Sequence, residues 1–214
     1  HIKFQFDFVD DGQISWLVVD SPYKDELITF LNKMKFMLRV EIKDVSDDFS
    51  CIRIAGKPDG MGGPFKIVRK DDVKQSETEV GIWALEAERV AAGRARIGFE
   101  TDHKSIPNEL GFLNISVHMK KGCYPGQETV AKINNLGTPP RKLVLLHLDG
   151  LNVDLPKVGD KVFDGEKEVG FIGTVIRHYE LGPIGLAVVK KNVPIENILI
   201  VDGISASQEA INRL

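Results

Sequence analysis

The feature that most constrains the fold is the diproline at Thr138-Pro139-Pro140 and the change of pattern that follows it. Two consecutive prolines cannot continue a helix, because each lacks an N–H and each fixes φ. Beyond them the apolar residues cluster in short segments: Leu143 to Leu148, Lys161 to Phe163, Glu168 to Ile176, Gly185 to Val189 and Ile198 to Val201. Turn residues at Asp149-Gly150 and Asp164-Gly165 separate some of these segments. Five short strands packed this closely predict a small antiparallel barrel over residues 141–214, with a domain boundary at the diproline.

The part before the boundary, residues 1–140, mixes both periods. Ile2, Phe4, Phe6 and Phe8 alternate with polar residues, and Asp11-Gly12 turns the chain into Ile14 to Val19, which predicts a β-hairpin. Ser21-Pro22 is a helix-start pair, and Leu27, Phe30, Met34 and Met37 then recur at helical spacing up to Leu38. Strand character returns at Val40, Ile42 and Phe49 to Ala55, and Gly56 to Pro64 reads as a loop. From Thr78 a helical stripe of Val80, Trp83, Ala87 and Val90 runs to Gly93, a suitable C-terminal glycine. This mixture predicts an α+β fold. The chain opens on His1 rather than Met, in the middle of a strand-like segment, so further residues are expected before it.

Composition limits the function classes. The chain has 214 residues and a net charge of -3, without a basic tract, so no direct nucleic-acid partner is expected. No apolar run approaches the ~20 residues of a membrane helix, and none is expected to cross a membrane. Two widely separated cysteines form neither a zinc pattern nor a secreted disulfide framework, which points to a reducing, cytoplasmic setting. They also fall short of the four ligands of an iron–sulfur cluster held by one chain.

The segment Lys121-Gly122-Cys123-Tyr124-Pro125-Gly126-Gln127-Glu128 has the most unusual local design. Gly122 gives backbone freedom, Pro125 suits a first helical turn, and Gln127 to Ile133 can propagate a helix. Cys123 would then precede a helix N-terminus, where unpaired N–H groups, the macrodipole and Lys120 or Lys121 favour a thiolate. A lone cysteine is usually a small buried hydrophobe, but flanking glycines, a lysine pair and Gln-Glu are poor company for a core position. Cys51, in the alternating run Ser50 to Ile54, reads instead as a buried strand thiol. His118 lacks an orienting third residue for a Cys-His pair. Glu100, Asp102, His103 and Glu109 read as a solvated loop. His178 and Tyr179 sit at a barrel rim, as structural residues or ligand contacts.

The motif Lys-Gly-Cys-Tyr-x-Gly-Gln-Glu at residues 121–128 resembles the hallmark of the YgfZ-type branch of the aminomethyltransferase (GcvT)-like proteins. The helix ending Arg89-Val90-Ala91-Ala92-Gly93-Arg94, the loop through Pro107 and residues 141–214 extend the resemblance. It implies ferredoxin-like α/β portions with a C-terminal barrel around a folate-binding cleft, and an N-terminal segment that has no counterpart here. It also implies tetrahydrofolate or a derivative as cofactor. Cys123 and Lys121 would form the working pair, with Arg89, Gly93, Arg94, Gly122, Tyr124, Gly126, Gln127 and Glu128 near the folate. The implied role is a folate-binding accessory protein that supports iron–sulfur cluster assembly or repair in client enzymes, tRNA-modifying ones included. The alternative is a tetrahydrofolate-dependent aminomethyl or one-carbon transferase, so whether the chain is an enzyme stays open. Cys123 replaces an acidic residue of the glycine-cleavage transferases, and Ala91 replaces a glutamate that holds the pterin. Losing that charge-assisted acceptor, worth about 1.5–3 kcal/mol, implies weaker or differently oriented folate.

Overall fold

The computed structural model describes residues 1–53, 65–74, 81–150 and 154–211. The expected loop Gly56 to Pro64 lies outside them, as do Thr78 and Val80 of the expected helical stripe. The chain forms two compact units, one of residues 3–79 and one of residues 1–2 with 80–214.

In the smaller unit, β1 (Phe6–Asp10) and β2 (Ser15–Val19) form the expected hairpin, with Asp10 opposite Ser15. Gly12 takes φ +86° at its tip, and Asp11 Oδ1 accepts from the N–H groups of Gln13 and Ile14. A single 3-10 turn, Ser21–Tyr23, leads into α1 (Lys24–Met34). The helix buries Leu27 but ends at Met34, short of the expected Leu38, and Met37 is 97% exposed. Phe36 explains the stop, since its φ of +46° reverses the chain in a left-handed conformation that cannot extend a helix. Val40 and Ile42 then lie outside regular structure. A second hairpin pairs β3 (Phe49–Arg53) with β4 (Phe65–Arg69). An Arg53–Asp7 ion pair and the Trp16–Phe49 ring contact, centroids 5.0 Å apart, join the two hairpins. Cys51 is in the expected strand, but its side chain is exposed rather than buried. A two-stranded ribbon has one open face, and partial burial there still pushes the thiol pKa up.

The larger unit carries α2 (Ile82–Ala91), α3 (Leu113–Ser116), α4 (Gln127–Leu136) and a closed barrel. The barrel strands are β5 (Arg141–Leu148), β6 (Lys161–Asp164), β7 (Lys167–His178), β8 (Gly182–Lys190), β9 (Leu199–Val201) and β10 (Ile204–Ala210). Their order around the barrel is β10-β5-β8-β7-β6-β9, with antiparallel neighbours. The α+β fold with a C-terminal antiparallel barrel is therefore as the sequence predicts. The five expected strands are present, and β10 is a sixth that closes the ring between β5 and β9.

Two apolar clusters fill this unit. Val144, Leu146, Ile172, Ala187, Val189 and Val201 belong to one, while Leu143, Leu145, Ile184, Leu186 and Val188 join Val90 and Leu110 in the other. Alternate residues of β5 and β8 thus enter different clusters, which is why both strands read as nearly continuous apolar runs. Ala87 and Val90 of α2 pack in the second cluster, so one face of the barrel is covered by helix.

Candidate functional site

Tyr124, Pro125, Gly126 and Gln127 form a β-turn closed by a hydrogen bond from Gln127 N–H to the Tyr124 carbonyl, 3.1 Å. Gly126 has φ +83° and ψ +3°, the values of the third residue of a type II turn, where an L side chain is strained. Proline at the second position and glycine at the third are what this turn demands. The expectation that Pro125 enters the first helical turn is therefore corrected: Gly126 caps α4, and helical bonding begins with Val130 N–H to the Gly126 carbonyl, 3.1 Å. Cys123 precedes the turn, three residues before the cap, and is exposed and unbridged.

Its neighbours are held by separate contacts. The Lys121 ammonium lies 5.6 Å from the centroid of the Tyr124 ring, a cation–π contact worth about 0.5–1 kcal/mol at an exposed site. Lys121 N–H donates to the exposed His118 through its backbone carbonyl, 3.1 Å, so His118 shapes the loop through its main chain. The Tyr124 hydroxyl is buried and has no hydrogen-bond partner among the described residues. Such an orphan costs about 1–3 kcal/mol. Glu128 sits in the first turn of α4, where its charge complements the helix dipole, and Val130 buries the helix against the unit. The Asn108 amide N–H bonds the Val130 carbonyl at 3.3 Å and fixes the start of α4.

Arg89, Gly93 and Arg94 gather at the end of α2, where the Arg94 N–H donates to the Arg89 carbonyl, 3.0 Å. Arg89 Nε donates to Glu86, 3.1 Å, and its terminal nitrogens donate to Glu86, 3.0 Å, to Glu100, 3.3 Å, to Thr174 Oγ1, 2.5 Å, and to the Arg94 carbonyl. Glu100 is fully buried, and its carboxylate also accepts from the backbone N–H groups of Thr174 and Arg96, both at 2.7 Å. Gly93 has φ +67°, and a Cβ there would come within 2.7 Å of Ile211.

The loop read as solvated is thereby corrected for two of its acids. Glu100 is inside, and Glu109 is 4% exposed because both its oxygens accept from Arg141, at 2.9 and 2.8 Å. Arg141 also grips Asp102 at 2.6 and 3.0 Å. That grip, aided by the Lys104 N–H and the Ser105 hydroxyl, holds the Asp102 carboxyl well below the usual carboxylate range despite partial desolvation. The charged form is favoured in the folded state, so Asp102 stabilises the fold above its unfolded pKa of about 3.9 and loses that contribution as the pH falls below it. The Asp102→Asn protein is expected to be less stable than the parent in urea at pH 7, with the gap narrowing toward pH 2. A gap that stays constant would show that the Arg141 contact is not an ionic one.

His178 is structural in this arrangement. Its Nδ1 accepts from the N–H groups of Glu180 and Leu181, 3.1 and 3.2 Å, and its ring stacks on Tyr179, centroids 4.5 Å apart. No group of three or more metal-binding side chains occurs among the described residues.

An α+β unit with a closed C-terminal barrel is the fold implied by the resemblance to the aminomethyltransferase-like proteins. No family model matches the chain. It is 27% identical over 161 residues to the iron-sulfur cluster assembly factor IBA57 homolog, mitochondrial, of Mycosarcoma maydis, covering 64% of this chain and 39% of that protein. It is 31% identical over 116 residues to the tRNA-modifying protein YgfZ of Buchnera aphidicola subsp. Schizaphis graminum, covering 51% of this chain and 35% of that protein. The chain is thus similar to a YgfZ protein and an IBA57 homolog over parts of its length. It spans between a third and two fifths of their lengths. No helix of the described residues is long and apolar enough to cross a membrane.

Proposed function

We propose that this chain supports iron–sulfur cluster assembly or repair in client enzymes, tRNA-modifying enzymes among them, and that Cys123 is the residue through which it does so. The observation that carries this reading is the exposed Cys123 thiol just before a sharply built turn, in a loop where Lys121 docks on Tyr124. A protein seldom holds a bare cysteine at such a place for packing, because the side chain there packs against little. The names of the two relatives, one a cluster assembly factor and one a tRNA-modifying protein, support the same direction. In this reading the sulfur serves as a transient ligand for cluster iron brought by, or passing to, a partner protein. Lys121, two residues before the thiol, adds a positive charge to the same loop. A cytoplasmic, reducing setting fits two exposed and unbridged thiols.

Tetrahydrofolate or a derivative is proposed as the small-molecule partner on the strength of the resemblance alone. Arg89 and Gly93 fit it poorly, since the guanidinium is already saturated and the glycine backs onto Ile211. The proposed folate contacts are Arg94 and the turn residues Gly122, Tyr124, Gly126, Gln127 and Glu128, and no step of the proposed role runs through the folate.

The reading is tested with a Cys51→Ala protein, in which Cys123 is the sole thiol. Alkylation with iodoacetamide is expected to abolish its ability to restore a cluster-dependent activity in extract from depleted cells, while the unmodified Cys51→Ala protein restores it fully. Retained activity after complete alkylation would defeat the thiol role.

A further inference from the structure

We propose that a cleft between the 108–113 loop and the mouth of the barrel binds a small organic carboxylate, with Lys142 and Lys191 holding the anionic end and Leu110, Leu143 and Ile211 facing its apolar body. The site is separate from the Cys123 turn and does not depend on the role given to that residue.

The cavity has a volume of about 270 Å3 and is lined by these five residues together with Glu109 and Arg141, among others. Its charged groups fall into two sets. Arg141 is enclosed by Glu109 and Asp102, which use its donors, so this trio presents little free hydrogen-bonding capacity to a ligand. Lys142 and Lys191 differ, since neither ammonium is ion-paired among the described residues. Lys142 is tethered by one N–H to the Val193 carbonyl at 2.6 Å, which leaves further donors on the same nitrogen. Burial lowers its pKa, the charge of Lys191 lowers it further, and Glu196 offsets this in part. The Lys191 N–H bond to the Pro140 carbonyl, 2.9 Å, holds the turn at Lys191 to the residue just before β5.

Lys142 and Lys191 both line the cleft and repel one another there, and a bound anion relieves that repulsion. The apolar wall selects among anions. Small-molecule sites combine mostly apolar lining with a few fixed polar groups, and an inorganic anion gains nothing from leucine and isoleucine. An aliphatic or aromatic carboxylate uses both parts.

The test is calorimetric titration of the full chain with benzoate, hexanoate and inorganic phosphate. The wild type is expected to bind at least one of the two carboxylates, at least about tenfold more tightly than phosphate. A folded Lys142→Met/Lys191→Met protein should bind it at least about tenfold more weakly, the loss of a charge-assisted bond. Lys191→Glu gives Lys142 a carboxylate in place of the ligand's and should weaken binding likewise. The proposal is overturned by absence of carboxylate binding to the wild type, by equal affinity for phosphate, or by binding that survives in the variants.

Discussion

Replacing Arg89 by methionine is expected to destabilise the larger unit by about 3–5 kcal/mol, the usual result of removing one partner from a buried ion pair. The size of the effect follows from what stays behind. Glu100 has no solvent exposure, and without the guanidinium its carboxylate keeps only the N–H groups of Thr174 and Arg96. Thr174 and the Arg94 carbonyl also lose a donor. These contacts connect α2 and the loop after it to β7, so the loss falls on the packing of helix against barrel. A shift of the urea midpoint measures it. The double variant Arg89→Met/Glu100→Gln should recover part of the loss, because the stranded charge is gone. A single-variant loss below about 1 kcal/mol would mean that water or Arg96, whose guanidinium is 3.3 Å from Glu86, takes over the charge.

The second large effect is expected at Gly173. A Cβ there would sit 2.4 Å from Glu100 Oε1 and 2.8 Å from its Cδ, and Glu100 is fixed by the same bonds. Gly173→Ala must therefore push the carboxylate off its donors or bend β7, at a cost of about 3 kcal/mol, the upper range of overpacking. The two residues should couple strongly: in a Glu100→Ala background the space is free, and the same alanine should cost much less. Independent, additive losses would place the collision elsewhere. Thermal or urea unfolding of the four proteins in the cycle decides between these outcomes.

This network shows where a sequence stops being readable. β5 and β8 were legible because residues such as Leu143 to Leu146 enter two cores at once and leave an unbroken apolar run. β10 was not, because Ile204-Ser205-Ala206-Ser207 is small and polar, and only its pairing with β5 and β9 makes it a strand. Arg89 and Thr174 are 85 residues apart, and nothing local to either announces the other. Glu100 gave the opposite of its true burial, since a glutamate in a loop is normally solvated. At the candidate site the chemistry of Pro125 and Gly126 was visible, yet a proline before a glycine suits a helix start and a type II turn alike. The +83° φ of Gly126 selects the turn. Exposure of Cys123 followed from its polar neighbours, whereas Cys51, in an alternating strand, lies on the open face of a ribbon only two strands wide.

The central claim is that Cys123 acts through its sulfur. The most direct measurement is complementation of cells lacking this protein with wild type, Cys123→Ser and Cys51→Ser, reading the activity of a radical iron–sulfur tRNA-modifying enzyme. Serine keeps the size and polarity of an exposed side chain, so folding is expected to be unaffected by either change. The account predicts full rescue by wild type and Cys51→Ser and little or none by Cys123→Ser at equal protein levels. Rescue by Cys123→Ser equal to that of wild type would contradict it.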